Sequence, residues 1–190
     1  MLRSFSLLTL AAVSLAACVE TTQQLGSDGK PLPQLYRIRA GETSAIQFRM
    51  LDSVNALRQA AGATPVQMNA QLNAAAATHA RDMAIQNRPW HFGSDGSSPL
   101  DRVARVGYTG ALVGENISET YETEIETLAA WMEQPDTRRV VVAPEASDLG
   151  FAWHQEVNGK IWWTLVMGDS SATQVLSAPI PDADTSPPQG

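Results

Sequence analysis

Through the middle of the chain, hydrophobic positions fall into helical stripes separated by breaks rich in glycine and proline. Ile46, Met50, Val54, Leu57 and Ala61 make one stripe, with Leu51 and Ala60 beside it. That spacing predicts a first helix from about Ala45 to Ala61. Ser44 and Gln47 suit a capping box at its start, and Gly62 suits its end. After the connector Gly62-Ala63-Thr64-Pro65, a second stripe follows Asn69. Leu72, Ala75, Ala76, His79, Ala80 and Met83 share one face of a helix reaching about Gln86. Its alanines predict a close approach to a neighbouring element, and His79 falls on the stripe as a packed, hydrogen-bonded core histidine.

Beyond an aromatic loop, Ser98 and Pro99 form a strong helix start: a capping oxygen, then a proline whose missing N–H costs nothing at the first position. Asp101 favours the positive end of that short helix, and Gly107 closes it. Leu112 to Glu119 has a strand-like pattern. Ile125, Leu128, Ala129 and Met132 predict a further helix over about Glu122 to Met132, with Thr123 and Glu126 as a capping box and Pro135 as its stop. Val140-Val141-Val142 suits a short buried strand or a helical turn. Two apolar runs, Leu149–Glu156 and Ile161–Met167, flank Asn158-Gly159, the strongest short hairpin signal in the chain. Trp153, Trp162 and Trp163 place a large aromatic surface on that hairpin, expected as core. Helices packed on a small, mainly antiparallel sheet make an α+β domain, residues 44–168. From Asp169 to Gly190, Ser, Pro, Asp and Gln dominate and predict a disordered tail.

The chain has 190 residues, 44% of them hydrophobic, enough for one domain with a core. Acidic residues outnumber basic ones by 20 to 13, which argues against nucleic acid and anionic membrane surfaces as partners, since both select basic patches. Glu115, Glu119, Glu122, Glu124 and Glu126 make a local acidic cluster, expected as a solvated face. With a single cysteine, no intramolecular disulfide forms. Residues 1–17 carry Arg3 near the start and an apolar run from Leu7 to Ala17, far short of the roughly 20 residues that span a bilayer. They have the form of a signal peptide. The ending Leu15-Ala16-Ala17-Cys18 resembles the bacterial lipobox, which implies a lipid on Cys18 as the membrane anchor. Val19 follows, not the aspartate associated with inner-membrane retention, so the expected address is the cell envelope, on the outer membrane facing the periplasm. Residues 18–43 then act as a tether, broken by Gly26, Gly29, Pro31 and Pro33, with Leu35-Tyr36-Arg37-Ile38 as a short extended piece.

No zinc-protease HExxH, paired CxxC or phosphate-binding GxxxxGK[ST] occurs in the chain. Gly168-Asp169-Ser170-Ser171 lacks the surroundings of a nucleophile elbow. What remains is His91, in Trp90-His91-Phe92, with Glu115, in Gly114-Glu115-Asn116-Ile117. An imidazole and a carboxylate from two different elements can form an acid/base pair, two ligands of a divalent metal, or a hydrogen bond tying a loop to a strand.

The alanine helix with His79, Trp90-His91-Phe92, Asp95-Gly96-Ser97-Ser98-Pro99, Arg102, Gly107-Tyr108, Gly114-Glu115-Asn116-Ile117 and Trp131-Met132 occur in the order found in the CAP superfamily. This family takes in cysteine-rich secretory proteins, antigen 5 and pathogenesis-related 1 proteins (the SCP domain), and the chain resembles its bacterial branch over about Ile46 to Met167. The resemblance implies an α-β-α sandwich, with a small antiparallel sheet between helical layers. It also implies a cleft with two histidines and one or two glutamates, which in several members binds a divalent metal. By motif, the first histidine is His91 and the first glutamate Glu115. The second histidine position holds Thr137 and the second glutamate position Gln134. Threonine is a poor zinc ligand and no base near neutral pH, so no cofactor is expected, and any zinc ion would rest on His91. The reading that follows is an envelope-anchored, non-catalytic module binding a lipid, an envelope component or a partner in a cleft of His91, Glu115, Gln134 and Thr137. The alternatives are a metal-assisted hydrolase of peptide or cell-wall material, with His91 and Glu115 catalytic, and a scaffold with a vestigial cleft.

Overall fold

A computed structural model describes residues 35–173 of the chain. The expected signal peptide, Cys18, most of the tether and the tail beyond residue 173 lie outside the described residues.

Helix α1 (Thr43–Ala60) begins before the predicted start, with Glu42 at its N-cap and no side-chain capping bond. Ser44 and Gln47 do not form the expected box. Gln47 instead donates from Nε2 to the Phe151 carbonyl at 2.8 Å, a tertiary partner winning over a local one. A two-residue strand, β1 (Gln67–Met68), precedes α2 (Ala70–Gln86). There Asn69 caps the helix, its side chain accepting from Gln71 N and Leu72 N. Asn87 ends α2 with φ 49°, a left-handed position that asparagine tolerates. The short helix α3 (Pro99–Arg105) carries a full capping box between Ser98 and Asp101. Strand β2 (Gly110–Thr120) leads to α4 (Glu124–Glu133), whose Thr123–Glu126 capping box also forms. Pro135 does not simply stop α4: it opens a further helix, α5 (Pro135–Val141). Proline's missing N–H suits a first helical position as well as it ends a preceding helix. Val140 and Val141 are thus helical.

Strands β3 (Asp148–Gln155) and β4 (Ile161–Thr173) form the expected hairpin, with Gly159 at φ 98° and Asn158 Oδ1 accepting from Lys160 N at 2.9 Å. The expected boundary at residue 168 is too early. Asp169 pairs with Ala111 and Thr173 with Gly110, and Ser170 N donates to Ser147 Oγ at 2.9 Å. Polar composition does not prevent an edge segment from completing a ladder whose partners are already placed.

The sheet runs β1-β3-β4-β2, antiparallel among β3, β4 and β2, with β1 parallel to β3. Helices α2 and α3 cover one face, and α1, α4 and α5 the other, giving the α-β-α sandwich. Along β2 the side chains alternate between these layers. Ile117 packs with Ala80, Met83 and Trp162 on the α2 side. Asn116 donates from Nδ2 to the Thr137 carbonyl in α5 at 2.8 Å, and a Cβ at Gly114 would meet Val140 at 2.8 Å. The larger core gathers Ile46, Met50, Leu128, Trp131, Phe151 and Trp163, with Phe151 and Trp163 stacked at 5.4 Å. Trp162 and Trp163 are fully buried, as expected for core. Tyr36 and Ile38 pack on the same core, and Gln155 holds their main chain through Ile38 N and the Tyr36 carbonyl. Among the described residues, no helix is long and apolar enough to cross a membrane.

The alanine-rich α2 does approach its neighbour closely. At Gly150 of β3 a Cβ would run into the main chain of Leu72. Gly150→Ala is therefore expected to destabilise by about 2–3 kcal/mol, because backbone must move rather than a flexible side chain. Urea unfolding checks this, and a loss under about 0.5 kcal/mol, the usual effect of a surface substitution, would contradict the close packing.

The acidic cluster is not a common face. Glu115 is buried beside Arg102, and Glu119 pairs with Lys160 at 2.9 Å. Glu124, also buried, takes Arg49 at 2.8 Å and the Tyr36 hydroxyl at 2.9 Å. Glu126 serves as a cap. Strand alternation and the helix start send neighbours in sequence to different partners.

Candidate functional site

The loop after α2 is held against its own helix. Trp90 Nε1 donates to Gln86 Oε1 at 2.8 Å, and the Arg88 guanidinium lies over the Trp90 ring at 3.9 Å. Asp82 accepts from the Ser94 amide at 2.7 Å and the Ser94 hydroxyl at 2.6 Å. This fixes Trp90-His91-Phe92 over β2. From below, β2 sends Glu115 towards α2 and α3, and α3 supplies Arg102. The capping box of Ser98 and Asp101 sets the position of that helix, and with it the guanidinium.

Three side chains, His91, Arg102 and His79, meet at the Glu115 carboxylate. His91 Nδ1 donates to Glu115 Oε1 at 2.9 Å. Arg102 Nη2 bridges both oxygens, at 2.9 Å to Oε1 and 2.8 Å to Oε2, while its Nη1 donates to the Ser97 carbonyl at 3.2 Å. His79 Nε2 donates to the Trp90 carbonyl at 3.0 Å and stands 3.6 Å from Glu115 Oε1. His79 Nδ1 and Arg102 Nε are buried without partners. The expectation of a packed, hydrogen-bonded His79 holds, with one ring nitrogen left over.

Burial works against ionising Glu115, but the hydrogen bond from His91 and the charge and hydrogen bonds of Arg102 outweigh it. They hold the carboxyl below the ordinary glutamate value. Burial pushes His79 down, and the attraction of Glu115 does not restore it. At neutral pH the cluster is thus carboxylate, guanidinium and a neutral His79 that keeps its proton on Nε2, since a carbonyl faces that nitrogen.

Exposure separates the members. The Glu115 side chain is 3% exposed, that of His91 49%. With Nδ1 on the carboxylate, His91 has only Nε2 left to offer solvent, oriented as a hydrogen-bond acceptor or base. Glu115 has donors on both oxygens and is held ionised, so it does not serve as a proton donor near neutral pH.

His91 and Glu115 are thus brought together, whereas Gln134 and Thr137 do not join their hydrogen-bonded cluster. Thr137 Oγ1 donates back to the Trp131 carbonyl at 2.6 Å, and its own carbonyl is held by Asn116 from the opposite face of β2. Gln134, exposed, marks the junction of α4 and α5 and its side chain forms no cap bond. His154 lies on β3, separated from β2 by β4. The hydrogen-bonded cluster thus holds two of the four residues expected in the cleft, because strand alternation points Glu115 and Asn116 to different layers. The residues present do not fit a divalent ion. Arg102 already bridges both Glu115 oxygens, His91 Nδ1 is engaged, and among the described residues no three His, Cys, Asp or Glu side chains gather to hold a metal.

Arg102 is visible in the sequence only as part of a motif. The signal for its role is an arginine next to Val103 and one turn from Val106 on the apolar side of a short helix. A buried arginine needs acceptors for its donors, and Glu115 is the glutamate of the following strand.

Comparison with known proteins agrees with this architecture. The CAP family, described as the Cysteine-rich secretory protein family, matches residues 51–167. The uncharacterized protein YkwD of Bacillus subtilis (strain 168) is 28% identical over 125 residues, which is 66% of this chain and 48% of YkwD. The chain thus spans about half the length of that curated relative. An extracellular SCP-domain protein of Bacillus anthracis superposes with a TM-score of 0.62 at 18% identity, over 70% of this chain and 45% of that one. An outer surface protein of Borrelia burgdorferi superposes with a TM-score of 0.57 at 14% identity, over 72% of this chain and 98% of that one. With the family match spanning most of the domain and the sandwich in place, the chain belongs to the CAP, or Cysteine-rich secretory protein, family.

Proposed function

We propose that this CAP domain is a non-catalytic ligand- or partner-binding module, anchored in a bacterial cell envelope by a lipid on Cys18. The observation that carries the non-catalytic reading is the saturation of Glu115 by Arg102 and His91. The carboxylate braces loop, helix and strand and keeps no free oxygen for a metal. Catalysis by acyl transfer would need a nucleophile and an oxyanion hole beside His91, and no serine, threonine or cysteine hydroxyl or thiol bonds to that ring among the described residues. The anchor rests on Leu15-Ala16-Ala17-Cys18. The extracellular and outer-surface descriptions of the two structural relatives fit an envelope address. The ligand class implied is an envelope component, lipid included, and the expected side is the periplasmic face of the outer membrane.

Two measurements test this. In bacterial membrane fractions the wild-type chain should begin at a diacylated Cys18, and Cys18→Ser should move to the soluble fraction. A wild-type chain left soluble and unlipidated removes the anchor. Zinc calorimetry on the wild-type chain should show no saturable binding. Tight zinc binding would overturn the brace and move the metal-assisted hydrolase, with His91 as ligand, to first place.

A further inference from the structure

A recess at the edge of the sheet lies apart from His91. A cavity of ≈ 350 Å³ opens between the start of α1, α2 and β3, within the size range of small-ligand sites, roughly 300–1,000 Å³. Ala74, Ala77, Ala152 and Trp153 are its apolar lining; Thr43, Gln47 and Asn73 are its polar groups. None of these residues is charged.

From this geometry we infer that the open edge of β3 at Trp153 binds a short, uncharged peptide in extended conformation, independently of the function proposed above. Strand β4 lines the whole of one side of β3, but β1 reaches only Asp148 and Leu149 on the other. At Phe151, side chains stand in for the missing strand. The Phe151 amide donates to Asn73 Oδ1 at 2.7 Å, and its carbonyl accepts from Gln47 Nε2 at 2.8 Å. Main-chain groups in an antiparallel pair alternate in direction along the strand. Trp153, two residues on, therefore turns its N–H and C=O to the same edge as Phe151. Neither has a hydrogen-bond partner among the described residues. Further on, the Gln155 side chain closes the edge by holding Ile38 N and the Tyr36 carbonyl.

The edge is thus plugged on both sides of one open position. That position offers a donor and an acceptor in the spacing of a strand, which a single extended peptide residue satisfies with its own C=O and N–H. Asn73 and Gln47, each fixed by its bond to Phe151, keep Nδ2 as donor and Oε1 as acceptor for the adjoining peptide unit. The alanines leave room beside the edge for a side chain of the peptide. The uncharged lining provides no counter-charge for an ionic ligand. A neutral sugar would stack on Trp153 but leave the paired main-chain groups poorly matched, so the peptide is the better fit.

The test is a titration of the ¹⁵N-labelled full-length chain with N-acetyl-trialanine methylamide, followed by amide resonances. Saturable shifts are expected at the Trp153 backbone amide and at the side-chain amides of Asn73 and Gln47. Affinity should fall at least tenfold for the peptide methylated at its central nitrogen, and at least tenfold in Ala77→Leu, which adds bulk to the cavity lining from α2. Ala74→Leu, at an exposed position, repeats the block should Ala77→Leu disturb the spectrum. The inference is overturned if trialanine gives no saturable shift, or if the methylated peptide or the filled variants bind unchanged. It is also overturned if only a neutral disaccharide shifts these resonances.

Discussion

Replacing Glu115 with alanine is expected to lower the unfolding free energy by about 3–5 kcal/mol, the range for removing one partner of a buried ion pair. Arg102 is 4% exposed and its Nε already lacks a partner. Without Glu115 its charge stays in the interior with only the Ser97 carbonyl to receive it. The loop would also lose the His91 bond. Glu115→Gln keeps the shape and one acceptor and should cost less, about 2–3 kcal/mol for the lost charge-assisted bonds. The pH dependence follows from the direction of the shift. A carboxyl held below its unfolded value of 4.5 contributes stability that is fully present above about that pH. The contribution is lost as pH falls through the folded value. His79, pushed below its ordinary 6.5, acts with the same sign from a higher pH, since the unfolded chain takes up that proton first. Urea unfolding of wild type and Glu115→Gln at about pH 7, 5 and 3.5, settings chosen around the carboxylate range, should therefore show a gap that is steady at the first two and shrinks at the last. A gap that does not shrink in acid, or that is under about 1 kcal/mol at neutral pH, is incompatible with Glu115 as the charged brace of the site.

Arg58→Ala is the second large effect, and it lies away from the site. The guanidinium is fully buried and donates to four carbonyls: Thr64 at 2.8 Å, Val141 at 3.0 Å, Ala143 at 2.9 Å and Ala146 at 2.8 Å. One side chain thereby ties α1 to the end of α5 and to the segment entering β3. Burial pulls its pKa down, yet an arginine stays protonated because its reference value is so high. Removing it leaves several buried acceptors without donors, at a cost of about 3–5 kcal/mol in total if partial relaxation or water satisfies some of them. Arg58→Lys should recover less than half, because an ammonium is a single point and cannot fan out to carbonyls in different directions. Hydrogen exchange should show the loss locally, with residues 142–147 exchanging faster in Arg58→Ala while the β3–β4 ladder remains protected. A cost below about 1 kcal/mol would mean these hydrogen bonds are replaced by water without penalty.

Arg58 also shows where sequence reading stops. The stripe Ile46, Met50, Val54 continues at spacing four to residue 58, yet the apolar Leu57 is the residue its chemistry assigns to the core. The buried side chain is Arg58, and Leu57 is only partly covered. Helical periodicity locates the face correctly, while residue chemistry misleads about its occupant. Three carbonyls from the distant segment 141–146, with that of Thr64 nearby, make an arginine the suitable residue there, and no local pattern announces the distant three. Gln47 is a similar case: a plausible capping residue by position, it is used at the Phe151 carbonyl.

By itself the sequence determined what depends on neighbours in the chain. Asn69, Ser98 with Asp101, and Thr123 with Glu126 cap the helices they precede, since a cap bond spans two or three residues. Asn158-Gly159 turns the hairpin because only a glycine-like backbone takes that φ without strain. Ordered motifs of the CAP family named the fold and brought His91 towards Glu115. Tertiary structure alone decided the rest. Whether Glu115 is a free acid or a closed ion pair depends on Arg102, thirteen residues earlier, arriving from a helix on the same side of the sheet. Thr137 is kept out of that cluster because β2 alternates its side chains between two layers. The open position at Trp153 exists because β1 is two residues long and ends before it. Each of these turns on which main-chain and charged groups meet across the fold, and burial makes such meetings costly to leave unpaired.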